Sequence, residues 1–205
     1  MSAADSIIVF DFETTGLSPD MGDRAIEIGA VRLVDGVVVD QFQALMNPGF
    51  RVSGFIESYT GISNAMLAEA DSCADVMARF TDFIADDNLL AHNASFDKRF
   101  LDAELDRLSL HYPGQVICSL LASRRIFQHA PNHKLGTLVD YTNLAVEGDF
   151  HRALFDAQMT AEIWLKMLGQ LRQDYGFNEI PFALMQKLNK TAKKSLHKML
   201  LSAAA

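Results

Sequence analysis

Residues 7–16 read IIVFDFETTG, an apolar run that ends in Asp11 and, two places on, Glu13. Residues two apart on a strand share a face, so these carboxylates project together. Like charges held side by side repel, and burial raises the cost. Such a pair must be protonated, paired or bridged by a cation. Thr14, Thr15 and Gly16 follow as a small polar turn. Its hydroxyls and backbone N–H groups can meet a ligand, with Gly16 allowing close approach. Taken by themselves, these residues fit a solvated strand end equally well.

Two further stretches carry acids. In LLAHNASFDKRFL, residues 89–101, a short strand ends at His92-Asn93 and a helix opens near Ala94 or Ser95. Asp97 falls in the first helical turn, where the macrodipole alone favours an acid. His92 and Asn93 read there as turn and cap residues. In HRALFDAQMTAEIWLKM, residues 151–167, Asp156 lies early in a helix whose apolar side includes Leu154, Met159, Ile163, Trp164 and Met167. His151 precedes Asp156 by five residues, about 500° of helical rotation, so the two would not share a helix face. It reads as a loop histidine able to swing towards whatever Asp156 binds, and alone it fits a plain surface histidine. Jointly, Asp11, Glu13, Asp97 and Asp156 can converge at one edge of a sheet. Oxygen donors without cysteine suit Mg²⁺ or Mn²⁺ rather than structural zinc. A neutral histidine nearby suits general-base work near pH 7.

The elements that must position these groups are legible in outline. Strands are predicted over 6–12, 25–34 and 37–46, the last two joined by an Asp35-Gly36 hairpin turn. Short strands follow at 88–92 and 116–121, and helices at 72–85, 95–108, 134–144 and 153–171. Strands first, then strands alternating with helices, imply an α/β fold with a mixed sheet. Residues 180–201 carry Leu184, Leu188, Ala192, Leu196 and Leu200 at intervals of four, which predicts one added C-terminal helix. Lys187, Lys190, Lys194 and Lys198 form another stripe. That stripe reads as a solvated basic face, as a clamp on phosphates, or as a partner-binding surface. The expected organisation is a catalytic domain over 1–175 and a helical extension over 176–205, packed on it or contacting substrate or partner.

Composition sets limits. The chain has 205 residues, 49% of them hydrophobic, and a net charge of −8. Five of its 18 basic residues lie after Pro181, where there is no acid, so 13 basic residues face all 26 acidic ones over 1–180. A body this acidic does not wrap nucleic acid by charge alone, although bound cations can invert the local sign. No apolar stretch approaches the roughly 20 residues of a membrane span. The N-terminal stretch lacks the basic region of a signal peptide. Cys73 and Cys118 form no framework or metal spacing and read as packing residues in a reducing cytoplasm.

D-F-E-T-T-G at 11–16, H-N-A-S-F-D at 92–97 and H-R-A-L-F-D-A at 151–157 together resemble the three motifs of the DEDDh (DnaQ-like) 3′–5′ exonucleases. The superfamily includes the epsilon subunit of bacterial DNA polymerase III, ribonuclease T and oligoribonuclease. I-E-I-G-A-V at 26–31 and T-G-I-S at 60–63 resemble epsilon-type signatures, and the likeness is closest to the epsilon and ribonuclease T group, covering residues 6–170. It implies an RNase H-like fold, a five-stranded mixed sheet flanked by helices, and two Mg²⁺ (or Mn²⁺) ions. Residue by residue, Asp11, Glu13, Asp97 and Asp156 correspond to the family's metal-binding acids and His151 to its general base. Relatives of another branch place a tyrosine four residues before the last Asp, where this chain has Arg152.

The implied activity is hydrolysis of single-stranded nucleic acid from its 3′ end to nucleoside 5′-monophosphates, with DNA favoured over RNA. Thr14, Thr15, Gly16, Leu17, His92, Asn93 and Phe96 are the candidate substrate contacts, Phe96 fitting core packing equally well. Alternatives are an exoribonuclease trimming RNA 3′ ends, or a proofreading-type subunit whose main role is docking to a polymerase or repair complex. No membrane partner is expected.

Overall fold

The computed structural model describes residues 2–145 and 151–204. A five-stranded sheet has the order β3-β2-β1-β4-β5, with β1 Ile7–Thr14, β2 Ala25–Val34, β3 Val37–Leu45, β4 Leu89–Ala91 and β5 Val116–Cys118. β1–β2 and β2–β3 are antiparallel, whereas β1–β4 and β4–β5 are parallel. The β2–β3 pairing follows from the Asp35-Gly36 turn, where both residues take positive φ. The helices are α1 Gly54–Thr60, α2 Asn64–Glu69, α3 Cys73–Ile84, α4 Ser95–Arg107, α5 Ser119–Ile126, α6 Leu135–Tyr141, α7 Ala153–Tyr175, α8 Phe182–Lys190 and α9 Lys193–Ala204.

Alternation along β1 decides where the chemistry goes. Ile8, Phe10 and Phe12 face one core with Phe80 of α3 and Phe100 of α4. Ile7 and Val9 face the other, with Ile163, Trp164 and Met167 of α7. The odd-numbered face therefore carries Asp11 and Glu13 out of the α7-side core at the strand's C-terminal end. α7 approaches that face closely: a Cβ at Gly29 of β2 would lie 2.0 Å from the Leu154 backbone nitrogen. Only glycine permits this contact, and Gly29 sits opposite Asp11 in the ladder.

Three expectations need correction. The strand expected over 116–121 ends at Cys118, and α5 begins at Ser119. The single helix expected over 180–201 is two helices, α8 and α9. Thr191 is extended (φ −80°, ψ 135°) and its carbonyl accepts from Arg125 Nε at 2.8 Å, which ends α8. Ala192, placed on the apolar stripe, is consequently exposed. Helices α1 and α2 lie in a stretch where no element is predicted. Both are short, with Ser53 and Ser63 as N-caps, and they enclose a small core of Ile26, Val52, Ile56, Ile62 and Leu67.

Candidate active site

The cleft at the C-terminal end of β1 has a volume of about 650 Å³. Asp11, Glu13, Asp97, His151 and Asp156 all line it, with Thr14, Thr15, Gly16, Leu17, His92 and Phe96. Three elements supply the acids: the end of β1, the first turn of α4 and the first turn of α7. Asp97 is fixed by Phe12, whose N–H donates to its Oδ1 at 3.2 Å. Asp156 Oδ2 accepts from the His151 N–H at 3.2 Å. Asp156 Oδ1 is buried with no hydrogen-bond partner among the described residues.

The acids are electrostatically unsatisfied. Burial, then the charges of Asp97, Asp156, Glu13 and Glu27, hold the Asp11 carboxyl well above its usual range. Glu13 is pushed up to about 8 by burial and by Asp156, Glu27 and Asp97, against a lowering from Arg152. Burial raises Asp97 to about 7, although N–H bonds from Phe12 and its own backbone oppose this. Asp156 rises to about 6 for the same first reason, opposed by the His151 N–H. No lysine or arginine ion pair reaches Asp11, Asp97 or Asp156 among the described residues. Hard oxygen donors in this state, with one buried oxygen orphaned, fit a divalent cation. Among the described residues, donor atoms of Glu13, Asp156 and His151 lie within 4.8 Å of one another, and Asp11 and Asp97 fall outside that group.

Of the candidate substrate contacts only Asn93 lies outside the cleft lining, and several of the others also have partners within the protein. The turn uses its own polar groups. Thr14 Oγ1 donates to the Gly16 carbonyl at 2.7 Å, and Thr15 Oγ1 donates to Asp23 Oδ1 at 3.1 Å while accepting from Arg24 N–H at 3.0 Å. Gly16 permits close approach, but of Asp23: a Cβ there would meet that carboxylate at 2.4 Å. The His92 ring is held by Ser119 Oγ at 2.8 Å and the His133 carbonyl at 2.9 Å, and burial lowers it to about 4. Asn93 lines an adjoining cavity with Arg124 and Lys134 instead. Its φ is +65° and its carbonyl accepts from Phe96 N–H at 2.9 Å, the geometry of a turn into α4. Leu17 is 77% exposed at the rim. Phe96 lines the cleft and packs on Phe100 at 5.1 Å. The tail lysines are exposed and absent from the cleft lining.

Sequence reasoning missed the residues behind the site. Glu27 of β2 is fully buried and accepts from Arg152 Nη2 at 2.8 Å, Arg152 Nε at 3.1 Å, Ala153 N–H at 3.1 Å and Gln43 Nε2 at 2.9 Å. It thus pins the start of α7 beside His151. The signal was present in I-E-I-G-A-V, since Glu27 and Gly29 share the face that meets α7. From α1, Phe55 and Tyr59 line the cleft mouth.

Residues 8–164 match the RNase_T family, described as exonuclease. The chain belongs to this exonuclease family. Its motif order makes it a DEDDh, DnaQ-like 3′–5′ exonuclease. It is 39% identical over 183 residues to DNA polymerase III PolC-type of Caldanaerobacter subterraneus subsp. tengcongensis, covering 88% of this chain and 13% of that protein. It is also 39% identical over 166 residues to DNA polymerase III PolC-type of Bacillus subtilis, covering 80% of this chain and 11% of that one. The chain therefore spans a small part of these relatives. Among solved structures, exonuclease X in complex with 5′ overhanging duplex DNA superposes with a TM-score of 0.69 at 25% identity, covering 89% of this chain and 98% of that one. A full-length 3′-exonuclease gives a TM-score of 0.71 at 24% identity, covering 82% and 83%. These neighbours share the RNase H-like exonuclease fold. No helix among the described residues is long and apolar enough to cross a membrane.

Proposed function

We propose that this exonuclease removes nucleotides from the 3′ end of single-stranded nucleic acid, DNA in preference to RNA, releasing nucleoside 5′-monophosphates. The carrying observation is the set of buried and half-buried carboxylates, without an ion pair among the described residues, and an orphaned Asp156 oxygen beside His151. Asp11, Glu13, Asp97 and Asp156 would hold two Mg²⁺ or Mn²⁺ ions. Such ions, when bound, neutralise the scissile phosphate, activate the attacking water and stabilise the leaving 3′-oxygen. His151 takes the proton of that water as its oxygen bonds to phosphorus and the P–O3′ bond breaks. Asp156 fixes the histidine's backbone through the His151 N–H. The rigid end of β1 keeps Asp11 and Glu13 in place between turnovers.

The test is a digest of matched DNA and RNA oligonucleotides, labelled at the 5′ end, with Mg²⁺ or Mn²⁺. A ladder shortening from the 3′ end, faster on DNA and abolished by EDTA, is expected. Cleavage of a circular strand, or full activity after chelation, would overturn the proposal. A second reading, association with a polymerase, is supported by the PolC-type relatives. Co-purification of the chain with a replicative polymerase through a salt wash would favour it.

A further inference from the structure

His151 has an insecure seat for a group that must meet one proton in one direction. It is exposed, and its φ of +68° places a non-glycine residue in the left-handed region. Behind it the backbone is fixed, by its own N–H on Asp156 and by Arg152 and Ala153 on Glu27. These bonds hold the chain and leave the ring to rotate about two side-chain bonds. An exposed side chain so attached samples several staggered rotamers. Displacement by about 1 Å can cost a reacting pair around 10²-fold in rate.

One aromatic wall limits that rotation. The Tyr59 ring centroid lies 4.2 Å from that of His151, the planes tilted by 39°. The Tyr59 ring also stacks on Phe55 at 5.8 Å and 13°. The helix beneath is well anchored. Ser53 Oγ caps it, Gly61 closes it at φ +71°, and Ile56 and Thr60 are buried. Asn64 ties its approach by accepting from Val52 N–H at 2.8 Å and donating to the Val52 carbonyl at 3.1 Å. Tyr59 is thus a ring on an anchored helix, set against an exposed ring that turns about its own side-chain bonds.

We infer that Tyr59 is a positioning residue, whose ring holds the His151 imidazole in the orientation used for proton abstraction. This rests on the proposed role of His151 as the base. The phenol hydroxyl is not needed, only the ring face.

The experiment uses the full chain. Single-turnover and steady-state cleavage of a 5′-labelled single-stranded DNA with Mg²⁺ is compared for wild type, Tyr59→Ala, Tyr59→Phe, His151→Ala and the Tyr59→Ala/His151→Ala double variant. Tyr59→Ala is expected to lower kcat about 10-fold with KM within about twofold, and Tyr59→Phe to restore it. In the His151→Ala background, Tyr59→Ala should change nothing further, because the ring it positions is gone. A second readout needs no turnover: in the metal-free protein, the His151 ring C–H resonances should lose their ring-current shift in Tyr59→Ala and keep it in Tyr59→Phe. A slow His151→Ala with a normal Tyr59→Ala overturns the inference alone. An additive effect in the double variant, or a change confined to KM, overturns it in favour of direct substrate contact. An unhindered His151→Ala overturns the base assignment and the inference together.

Discussion

Two sets of buried or half-buried acids lie within this fold, and they are treated in opposite ways. Glu27 and Glu104 are 0% and 2% exposed, and each is enclosed by donors. Glu104 accepts from Arg24 Nε at 2.7 Å and Nη2 at 2.8 Å, and Arg107 lies 3.4 Å away. Glu27 has Arg152, Gln43 and the Ala153 N–H. Glu13 is the direct ladder neighbour of Glu27 and is also buried, yet its carboxyl is raised to about 8. Adjacent positions of one sheet thus hold a satisfied carboxylate and an unsatisfied one. The satisfied acids fasten α4 and α7 to β2. The unsatisfied acids are held by the scaffold in a state that only protons or cations relieve.

The contrast can be broken most severely at the cleft. Asp11→Asn or Asp156→Asn should remove at least nine-tenths of the cleavage rate while leaving the fold intact, because charge repulsion falls. His151→Ala should slow single-turnover cleavage by about 10²–10⁴, and His151→Gln should restore little, since an amide orients water without taking its proton. Rates near wild type in these variants, read from 3′-end shortening, would erase the distinction between the two sets.

The opposite outcome is expected at the satisfied set. Glu104→Gln removes the charge that Arg24 and Arg107 share and should cost about 3 kcal/mol, or roughly 6–12 °C in thermal midpoint. Activity per folded molecule should stay within about twofold, because Glu104 lines no part of the cleft. Calorimetry beside a rate assay checks both halves.

The neighbours Glu13 and Glu27 sharpen the comparison, with a smaller effect. In metal-free protein at pH 8, Glu13→Gln should raise stability by about 1 kcal/mol and Glu27→Gln should lower it by about 2 kcal/mol. Denaturant melts of the two variants give the signs directly, and matching signs would remove the contrast.

The chemistry was legible in the sequence because it demands residue types. Asp11 and Glu13 share a strand face by alternation alone, and motif order supplied Asp97, Asp156 and His151. The residues that hold this chemistry in place were not legible. Arg152 meets Glu27 across a separation of 125 residues, which no local pattern encodes. Tyr59 sits on a helix of 7 residues, too short for apolar periodicity to stand out. Thr14, Thr15 and Gly16 have the composition of a ligand turn and line the cleft, but the packing of Asp23 against Gly16 and the Thr15 hydroxyl is not encoded in that composition. The tail pattern ran through 191–192 without a break because the interruption comes from Arg125, on a different element.

That interruption leaves the lysine stripe divided between α8 and α9, away from the cleft lining. Changing Lys187, Lys190, Lys194 and Lys198 to Gln should leave kcat unaltered and move the salt slope of KM by less than about 0.7, the value of one phosphate contact on a single strand. A larger flattening would make the stripe part of the substrate path.

The most direct test of the unsatisfied cluster is the thermal midpoint against pH, with EDTA and with Mg²⁺. Glu13 at about 8 and Asp97 at about 7 lie above the usual carboxylate range. The folded state therefore keeps protons that the unfolded chain releases. Their stabilising contribution is present at low pH and is lost as pH rises through 7 and 8. His92, lowered to about 4, acts in the opposite direction but only below the ordinary histidine value near 6.5. Between pH 6.5 and 8.5 in EDTA, the midpoint should fall. Mg²⁺ should restore it most at the high end, where protons no longer compete, and Asp11→Asn should lose that restoration. A midpoint that rises or stays level in EDTA, with no response to Mg²⁺ in wild type, would contradict the cluster as a cation platform.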